Sequence, residues 1–141
     1  MVKLTKYYRG IMPTYKKSYK DLSFDFTANP QTGDVATVKD AVSVKRGIKN
    51  ILLTAGFERL FQPEIGSGIK NILFEPMTPL TEQRLSDSCR DAIDAWETRA
   101  SVIDITVIPE EEYNRYRVAI KFNINNSLVT EQVDVFLSRE R

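Results

Sequence analysis

The sequence predicts an α+β fold in which two to three helices pack on one face of a three-stranded antiparallel meander, preceded by an extended basic arm. Apolar residues recur at steps of three and four over residues 78–99, which is typical of a helix with one buried face. From about residue 103 the apolar period changes to two, and turn-forming residues divide the rest into segments of strand length. Strands of this kind have one apolar face, which the helices are expected to cover.

Length and composition limit the classes of protein to consider. A chain of 141 residues with 42% hydrophobic residues can bury one ordinary core. The net charge of +1 gives the whole molecule no strong attraction to nucleic acid or anionic lipid. The chain contains no histidine, and Cys89 is its only cysteine, so a Ser-His-Asp triad, an intramolecular disulfide and a zinc-type ligand set are excluded. We expect no cofactor.

The chain shows no membrane signal. No stretch approaches the ~18 apolar residues of a membrane span, and the first lysines are not followed by the apolar segment of a signal peptide. We therefore expect a protein that is made and kept on the cytoplasmic side of a membrane, or is carried inside a particle, without a membrane partner. Cys89 lies on the apolar stripe of the predicted helix, which indicates a small buried side chain rather than a nucleophile.

The first part of the chain, residues 1–30, is predicted to be an arm ahead of a single domain at 31–141. Six basic residues precede the first acid, Asp21, and four tyrosines lie among them. This mixture would suit single-stranded nucleic acid, although the blander interpretation is an arm whose tyrosines anchor it to a neighbouring subunit. The alternation of Leu22, Phe24 and Phe26 with polar residues predicts an extended segment docked on the domain.

Two helices are predicted before the long one. The first covers about residues 37–54 and begins with Thr37 and Asp40, which resemble a capping box. Gly47 lies in its middle, where glycine weakens a helix by up to ~1 kcal/mol. The second is short and covers residues 67–74. The buried face predicted for the first helix is Val38, Ala41, Val42, Ile48, Ile51, Leu52 and Ala55.

The long helix at 78–99 has a defined beginning. Thr78 can accept from free backbone amides of the first turn, and Pro79 suits the first helical position because its missing N–H costs nothing there. The residues on its apolar stripe are Leu85, Cys89, Ala92, Ile93, Trp96 and Ala100.

Three strands are predicted to follow. The first covers residues 103–107 and is ended by Pro109; the second covers 116–124, and the turn at 125–127 leads to the third at 129–137. A sheet of three strands has two edges, and the last strand contains no proline to block pairing with another chain. The predicted inner face is Tyr116, Val118, Ile120, Phe122 and Ile124 with Val129, Val133, Val135 and Leu137.

Catalytic residues are hard to identify. A glycosidase needs two carboxyl groups about 5 to 9 Å apart across a groove, and the acids outside solvated helix faces are Glu58, Glu64, Glu75 and Glu97. Caps and salt bridges explain such acids more simply, for example a pair with Arg59. The chain has neither a glycine-rich phosphate loop nor a carboxylate cluster typical of a metal site. The pattern favours a binding or assembly role over an enzyme.

Five sequence segments, taken in their order along the chain, point to a particular protein family more specifically than any single residue does. In this order they closely resemble the small wedge proteins of contractile phage tail baseplates, a family that is shared with type VI secretion baseplates and is often labelled "lysozyme-like". The resemblance covers roughly residues 35–138. The segments are S-V-K-R-G-I-K-N-I-L-L-T (43–54), G-F-E-R-L-F-Q-P-E-I-G (56–66), L-F-E-P-M-T-P-L-T (73–81), W-E-T-R (96–99) and I-T-V-I-P (105–109).

The resemblance implies a structural protein of the virion's tail baseplate, with no small-molecule substrate. Its partners would be a helical bundle of other wedge subunits and the tail-sheath protein, whose first ring adds strands to the sheet. The family's Glu-Pro-Arg signature corresponds to residues 97–99, so the resemblance assigns Glu97 and Arg99 to the wedge contact, and Thr98 departs from the pattern. It also implies a partner contact for Arg59. The strand-accepting edge is represented by Val133, Val135 and Leu137.

Two alternatives stay open. The "lysozyme-like" label suggests a tail-associated peptidoglycan hydrolase, for which Glu64 or Glu75 would be the acid. The same resemblance also fits the equivalent subunit of a type VI secretion baseplate.

Overall fold

The computed structural model describes residues 18–125 and 129–139 and has the predicted α+β architecture. Helices lie on one face of a three-stranded antiparallel sheet, and a small two-stranded sheet precedes them. In chain order, the elements are β1 (Lys20–Leu22), β2 (Thr37–Lys39), α1 (Asp40–Leu53), α2 (Ile69–Leu73), α3 (Pro79–Trp96), β3 (Ala100–Glu110), β4 (Arg115–Ile124) and β5 (Thr130–Ser138).

The larger sheet is the predicted meander, with β4 between β3 and β5. Helix α3 packs mainly under β3, and α1 lies under β5. Short helix α2 packs on α3. Every second residue of β4 points into this layer of helices, and all five predicted core positions are buried: Tyr116, Val118, Ile120, Phe122 and Ile124.

Backbone hydrogen bonds show to which neighbour each residue of β4 is joined. The N–H of Asn125 donates to the carbonyl of Arg99 at 3.0 Å, and the carbonyl of Asn114 accepts from the N–H of Arg139 at 3.2 Å. Bonded and non-bonded pairs alternate along an antiparallel ladder. The odd-numbered residues of β4 are therefore bonded to β3, and the even-numbered residues are bonded to β5.

Strand β3 is longer than predicted because Pro109 does not end it. Pro109 lies opposite Tyr116, whose backbone groups are bonded to β5 and not to β3. The nitrogen of Pro109 therefore faces away from the sheet, and its missing N–H costs no hydrogen bond. A shift of register between Val102 and Asp104 interrupts the same strand. Ile103, the first residue of the strand predicted at 103–107, lies at this bulge and is half exposed.

Helix α3 begins as predicted. The hydroxyl oxygen of Thr78 accepts from the N–H of Thr81 at 3.3 Å, and Pro79 is the first helical residue. The helix ends at Trp96, three residues earlier than predicted. Trp96 is 38% exposed, so its place on the buried stripe was wrong; Glu97, where the chain leaves the helix, is the side chain that turns inward. The other residues predicted for the stripe are buried: Leu85, Cys89, Ala92 and Ile93 in the helix and Ala100 at the start of β3.

Cys89 is a buried apolar side chain, as predicted. Its side chain is fully enclosed, and desolvation raises the pKa of the thiol to about 12. The reactive thiolate is therefore strongly disfavoured at neutral pH.

Helix α1 begins at Asp40, three residues later than predicted, because β2 pairs with β1 instead of joining the helix. The predicted capping box with Thr37 was therefore wrong. The carboxylate of Asp40 accepts instead from the N–H of Tyr19 at 3.2 Å. The buried face is also displaced: Val42 is 51% exposed, whereas Ser43 and Val44 are buried with Ile48, Ile51 and Leu52.

The described part of the predicted arm forms a hairpin with the residues that follow it. Residues 20–22 pair with 37–39, and a bridge joins Ala28 to Val35, so the hairpin extends across the boundary predicted at residue 30. The predicted docking of this segment through its apolar residues was wrong, because Leu22, Phe24 and Phe26 are mostly exposed. Residues 1–17, with most of the basic and tyrosine residues of the predicted arm, lie outside the described residues, as do Asn126 and Ser127 of the predicted turn.

No helix within residues 18–125 and 129–139 is long and apolar enough to cross a membrane.

The first prediction concerns the core under the sheet. Leu85→Ala removes a fully buried side chain and is expected to lower the free energy of unfolding by about 2–5 kcal/mol. Leu80→Ala is the matched control, because Leu80 is on the same helix and is mostly exposed. The control should change stability by about 0.5 kcal/mol or less. Urea unfolding followed by circular dichroism measures both, and equal effects would contradict the assigned packing of α3.

Candidate functional site

Glu97 and Arg99, the two signature residues, form a paired contact inside the molecule. Glu97 lies at the end of α3 and is only 4% exposed. The Nε of Arg99 donates to Oε1 of Glu97 at 2.6 Å, and its Nη2 donates to Oε2 at 2.8 Å. This two-point pairing compensates the burial of a carboxylate, which would otherwise be strongly unfavourable.

The other end of the Arg99 guanidinium joins two more elements. Its Nη1 donates to the carboxylate of Asp21 in β1 at 2.9 Å and to the hydroxyl of Ser43 in α1 at 3.0 Å. The hydroxyl of Ser43 also donates to Asp21. Arg99 therefore ties the end of α3 to the N-terminal hairpin and to α1 at one point. We call Asp21, Ser43, Glu97 and Arg99 the Arg99 cluster.

The cluster shifts the pKa values of Asp21 and Arg99. The hydrogen bond from Ser43, followed by that from Arg99, holds the pKa of Asp21 below its ordinary value of 3.8. Hydrogen bonding to Glu97 is the main cause that raises the pKa of Arg99. Asp21 is therefore an anion and Arg99 a cation at neutral pH, and neither is suited to exchange a proton in catalysis.

Gly47 is a part of this site whose role could not be assigned from the sequence. A Cβ atom at position 47 would lie 2.1 Å from Oε2 of Glu97 and 2.8 Å from Nη2 of Arg99. Only glycine leaves room for the pair against α1. The sequence shows a glycine in the middle of a predicted helix. The reason for it is the contact with Glu97 and Arg99, which are distant in sequence, so the sequence alone could not reveal it.

Thr98, the residue that departs from the family signature, is exposed. Its carbonyl accepts from the side-chain amide of Asn125 at 2.7 Å. The chain between α3 and β3 is thus held from both sides, and Arg99 is turned inward.

Arg59 lies apart from the Arg99 cluster, in the exposed loop between α1 and α2. Within the described chain it has no hydrogen bond or ion pair. Its predicted partner role is neither supported nor opposed by its surroundings.

Val133, Val135 and Leu137 lie on β5, but their side chains belong to the core. Val135 and Leu137 are buried, and Val133 packs against the core. These odd-numbered residues are also those whose backbone groups are bonded to β4. Val129 was predicted to share their face; it lies before the first residue of β5 and is exposed.

The free edge of β5 is formed by its even-numbered residues. Their N–H and C=O groups point away from β4, and no backbone hydrogen bond from another described residue reaches them. Sequence reasoning identified the strand but not these positions, because alternation alone does not show on which side β4 lies. The edge residues are Thr130, Gln132, Asp134, Phe136 and Ser138.

The other edge of the sheet is less suited to pairing. On β3, Pro109 removes one outward donor, the bulge at Ile103 interrupts the register, and the outward N–H of Ala100 is bonded to the carbonyl of Glu97 at 3.1 Å. Bulges and prolines are the devices by which proteins protect sheet edges. The two edges therefore differ, and β5 is the open one.

Of the four acids considered for hydrolysis, Glu97 is paired with Arg99, and Glu58 and Glu75 also have structural contacts. Glu75 accepts from Nη1 of Arg84 at 2.6 Å through both carboxylate oxygens. Glu58 accepts from the backbone N–H of Ala55 at 2.8 Å. Glu64 is exposed in the loop between α1 and α2.

The close approach of Gly47 to Glu97 gives a second prediction. Alanine normally stabilises a helix by about 1 kcal/mol relative to glycine, but Gly47→Ala is expected to destabilise the protein by about 1–3 kcal/mol through overpacking. In a Glu97→Ala background the carboxylate is absent, so the same substitution should be neutral or stabilising. A double-mutant cycle measured by urea unfolding tests this. Additive effects would contradict the contact.

The charge on Asp21 gives a third prediction. Since its folded-state pKa lies below 3.8, its contribution is complete above the unfolded pKa and is lost as the pH falls through the folded pKa. Asp21→Asn should lower the free energy of unfolding at neutral pH by ~0.2–1 kcal/mol, because the carboxylate is partly exposed. The difference from wild type should vanish in acid. Asp94→Asn, on the exposed face of α3, controls for the change in net charge, and a difference that does not depend on pH would contradict the role of Asp21.

Comparison with known proteins identifies the family. The profile of the family "Baseplate wedge protein gp25" matches residues 38–132. Baseplate wedge protein gp25 of Enterobacteria phage T4 is 28% identical over 139 residues, which cover 98% of this chain and 96% of that protein. Baseplate protein W of Escherichia phage P2 is 29% identical over 73 residues, 52% of this chain and 64% of that protein.

Solved structures share the fold. The crystal structure of a candidate tail lysozyme from Geobacter sulfurreducens aligns with a TM-score of 0.67 at 22% identity, over 75% of this chain and 98% of that one. A chain of the anti-feeding prophage baseplate aligns with a TM-score of 0.59 at 16% identity, over 88% of each chain. The match of the family profile over most of the chain is the decisive finding. The chain belongs to the gp25 family of baseplate wedge proteins, structural components of the virion's contractile-tail baseplate.

Proposed function

We propose that this wedge protein starts the tail sheath by accepting a strand of a sheath subunit along the edge of β5. The observation that carries the proposal is the difference between the two edges of the sheet. Strand β5 is nine residues long, and its outward backbone groups have no partner among the described residues. A strand added there would gain hydrogen bonds along its length without any change in the fold.

The Arg99 cluster supports the second part of the proposal, a contact with the helical bundle of other wedge subunits. Its donors to Glu97, Asp21 and Ser43 are used inside the molecule, so Arg99 acts by positioning rather than by touching the bundle. It fixes the exposed turn at Thr98 and the N-terminal hairpin relative to the sheet. The bundle contact would then be made by these fixed surfaces, and Arg59 remains available as a further contact.

The alternatives are weaker. A peptidoglycan hydrolase needs two carboxyl groups across a groove, one of them a free acid. Glu75 is held by Arg84, and Glu64 is exposed on the loop between α1 and α2. The equivalent subunit of a type VI secretion baseplate would use the same edge, so the fold does not separate it from the phage protein; neighbouring genes would.

The fourth prediction tests the edge. Asp134→Pro removes one outward N–H from β5 and leaves the bonds to β4 intact, because Asp134 is an edge residue with an exposed side chain. The folded protein should form, and assembly of sheath on baseplates that contain it should fall by at least about tenfold. Electron microscopy of tails from a complementation assay measures the fraction with sheath.

Asp134→Ala is the matched control, since it removes the same carboxylate but keeps the N–H, and it should give normal sheaths. Proline at Val135 would be a poor test because Val135 is buried and bonded to β4. Normal sheath on Asp134→Pro baseplates would refute the use of this edge.

A further inference from the structure

A groove lies beside the C-terminal half of β5, on the side of its free edge. It has a volume of about 370 Å³ and lies between the ends of α1 and α2 and residues 136–139. No residue of β3 or β4 lines it. Its apolar lining includes Leu53 and Phe74, which are exposed although they are large and apolar.

The sheet's own register shows what would occupy this groove. Tyr116 and Leu137 are neighbours across β4 and β5, and both point inward into the core. A further strand beside β5 would place one residue next to Leu137 on the same inward face, within ordinary cross-strand contact. The side chain of that residue would enter the groove and cover Leu53 and Phe74. The groove is therefore the part of the core that one more strand would complete.

The charges around the groove place a second requirement on the strand that would occupy it. Among the described residues that line it, Lys70 and Arg139 are cationic and none is acidic. The Nε of Arg139 donates to the carbonyl of Leu73, but its Nη2 is buried without a partner in the described chain. A buried donor of this kind calls for an acceptor, which an incoming strand can supply.

We propose that this groove sets the register of the incoming sheath strand by receiving one large apolar side chain beside Leu137, with an acidic residue or a backbone carbonyl placed to accept from Arg139. The inference rests on the proposed strand addition at β5 and specifies its partner. The backbone of the edge accepts almost any sequence, so the groove supplies the selectivity: it admits an extended segment with a leucine- or phenylalanine-sized residue near an acid and disfavours one with a charged residue at that position.

The test compares binding of the purified tail-sheath subunit from the same particle to variants of this protein. Leu53→Asp places a charge in the groove and should weaken binding by about tenfold or more, because an apolar contact is lost and a carboxylate is desolvated. Val42→Asp is the matched control: Val42 is also on α1, is 51% exposed where Leu53 is 45% exposed, and does not line the groove. It should bind as wild type does. Phe74→Asp, at a position still more exposed, gives a second groove variant if Leu53→Asp fails to fold.

Each outcome is informative. Weakening by Leu53→Asp or Phe74→Asp but not by Val42→Asp supports the groove. Wild-type binding by both groove variants, together with loss of binding in Asp134→Pro, overturns the groove and leaves strand addition standing. Wild-type binding by Asp134→Pro overturns strand addition itself, and with it the groove. Self-association of the wild-type chain that Leu53→Asp abolishes would show that a second copy is the occupant, which also overturns the proposal.

Discussion

The structure depends on the position of β4 at the centre of its sheet. All backbone groups of β4 are directed to β3 or β5, and its inward side chains form the middle of the core. This arrangement leaves each outer strand with one unpaired side. The chain protects β3 with Pro109, the bulge at Ile103 and the bond from Ala100, while β5 has none of these devices. In the proposed function, this asymmetry between the edges directs the sheath strand to β5.

The Arg99 cluster fixes the rest of the molecule relative to that sheet. A buried carboxylate is tolerated only when it is paired and hydrogen-bonded, so Glu97 requires Arg99, and Arg99 in turn brings Asp21 and Ser43 to the same point. Gly47 is the steric condition for this arrangement. The pair Glu97 and Arg99, which the resemblance singled out, thus has a structural role within the monomer: with Asp21 and Ser43 it joins three parts of the chain that are far apart in sequence.

The elements that sequence predicted well are those determined by local burial pattern. The cap at Thr78 follows from the types of residue at 78 and 79, and the stripe around Leu85 and the inner face of β4 follow from periodicity. The errors involve pairing between distant segments: α1 begins late because β1 pairs with β2, and Pro109 is tolerated because of the strand order. The candidate site also has features that sequence could predict and features that depend on neighbouring elements. Strand β5 could be predicted from its pattern, whereas Glu97 and Arg99 were singled out by the resemblance alone, and their partner role stays a prediction. The edge positions of β5 and the close approach of Gly47 required knowledge of the neighbouring elements.

The measurement that tests the central claim most directly is a cryo-electron microscopy structure of the assembled baseplate with the first ring of sheath. A strand from a sheath subunit should lie beside Thr130–Ser138 and be bonded to the even-numbered residues of β5. A sheath strand on β3, or an edge of β5 that stays open in the assembled tail, would contradict the account.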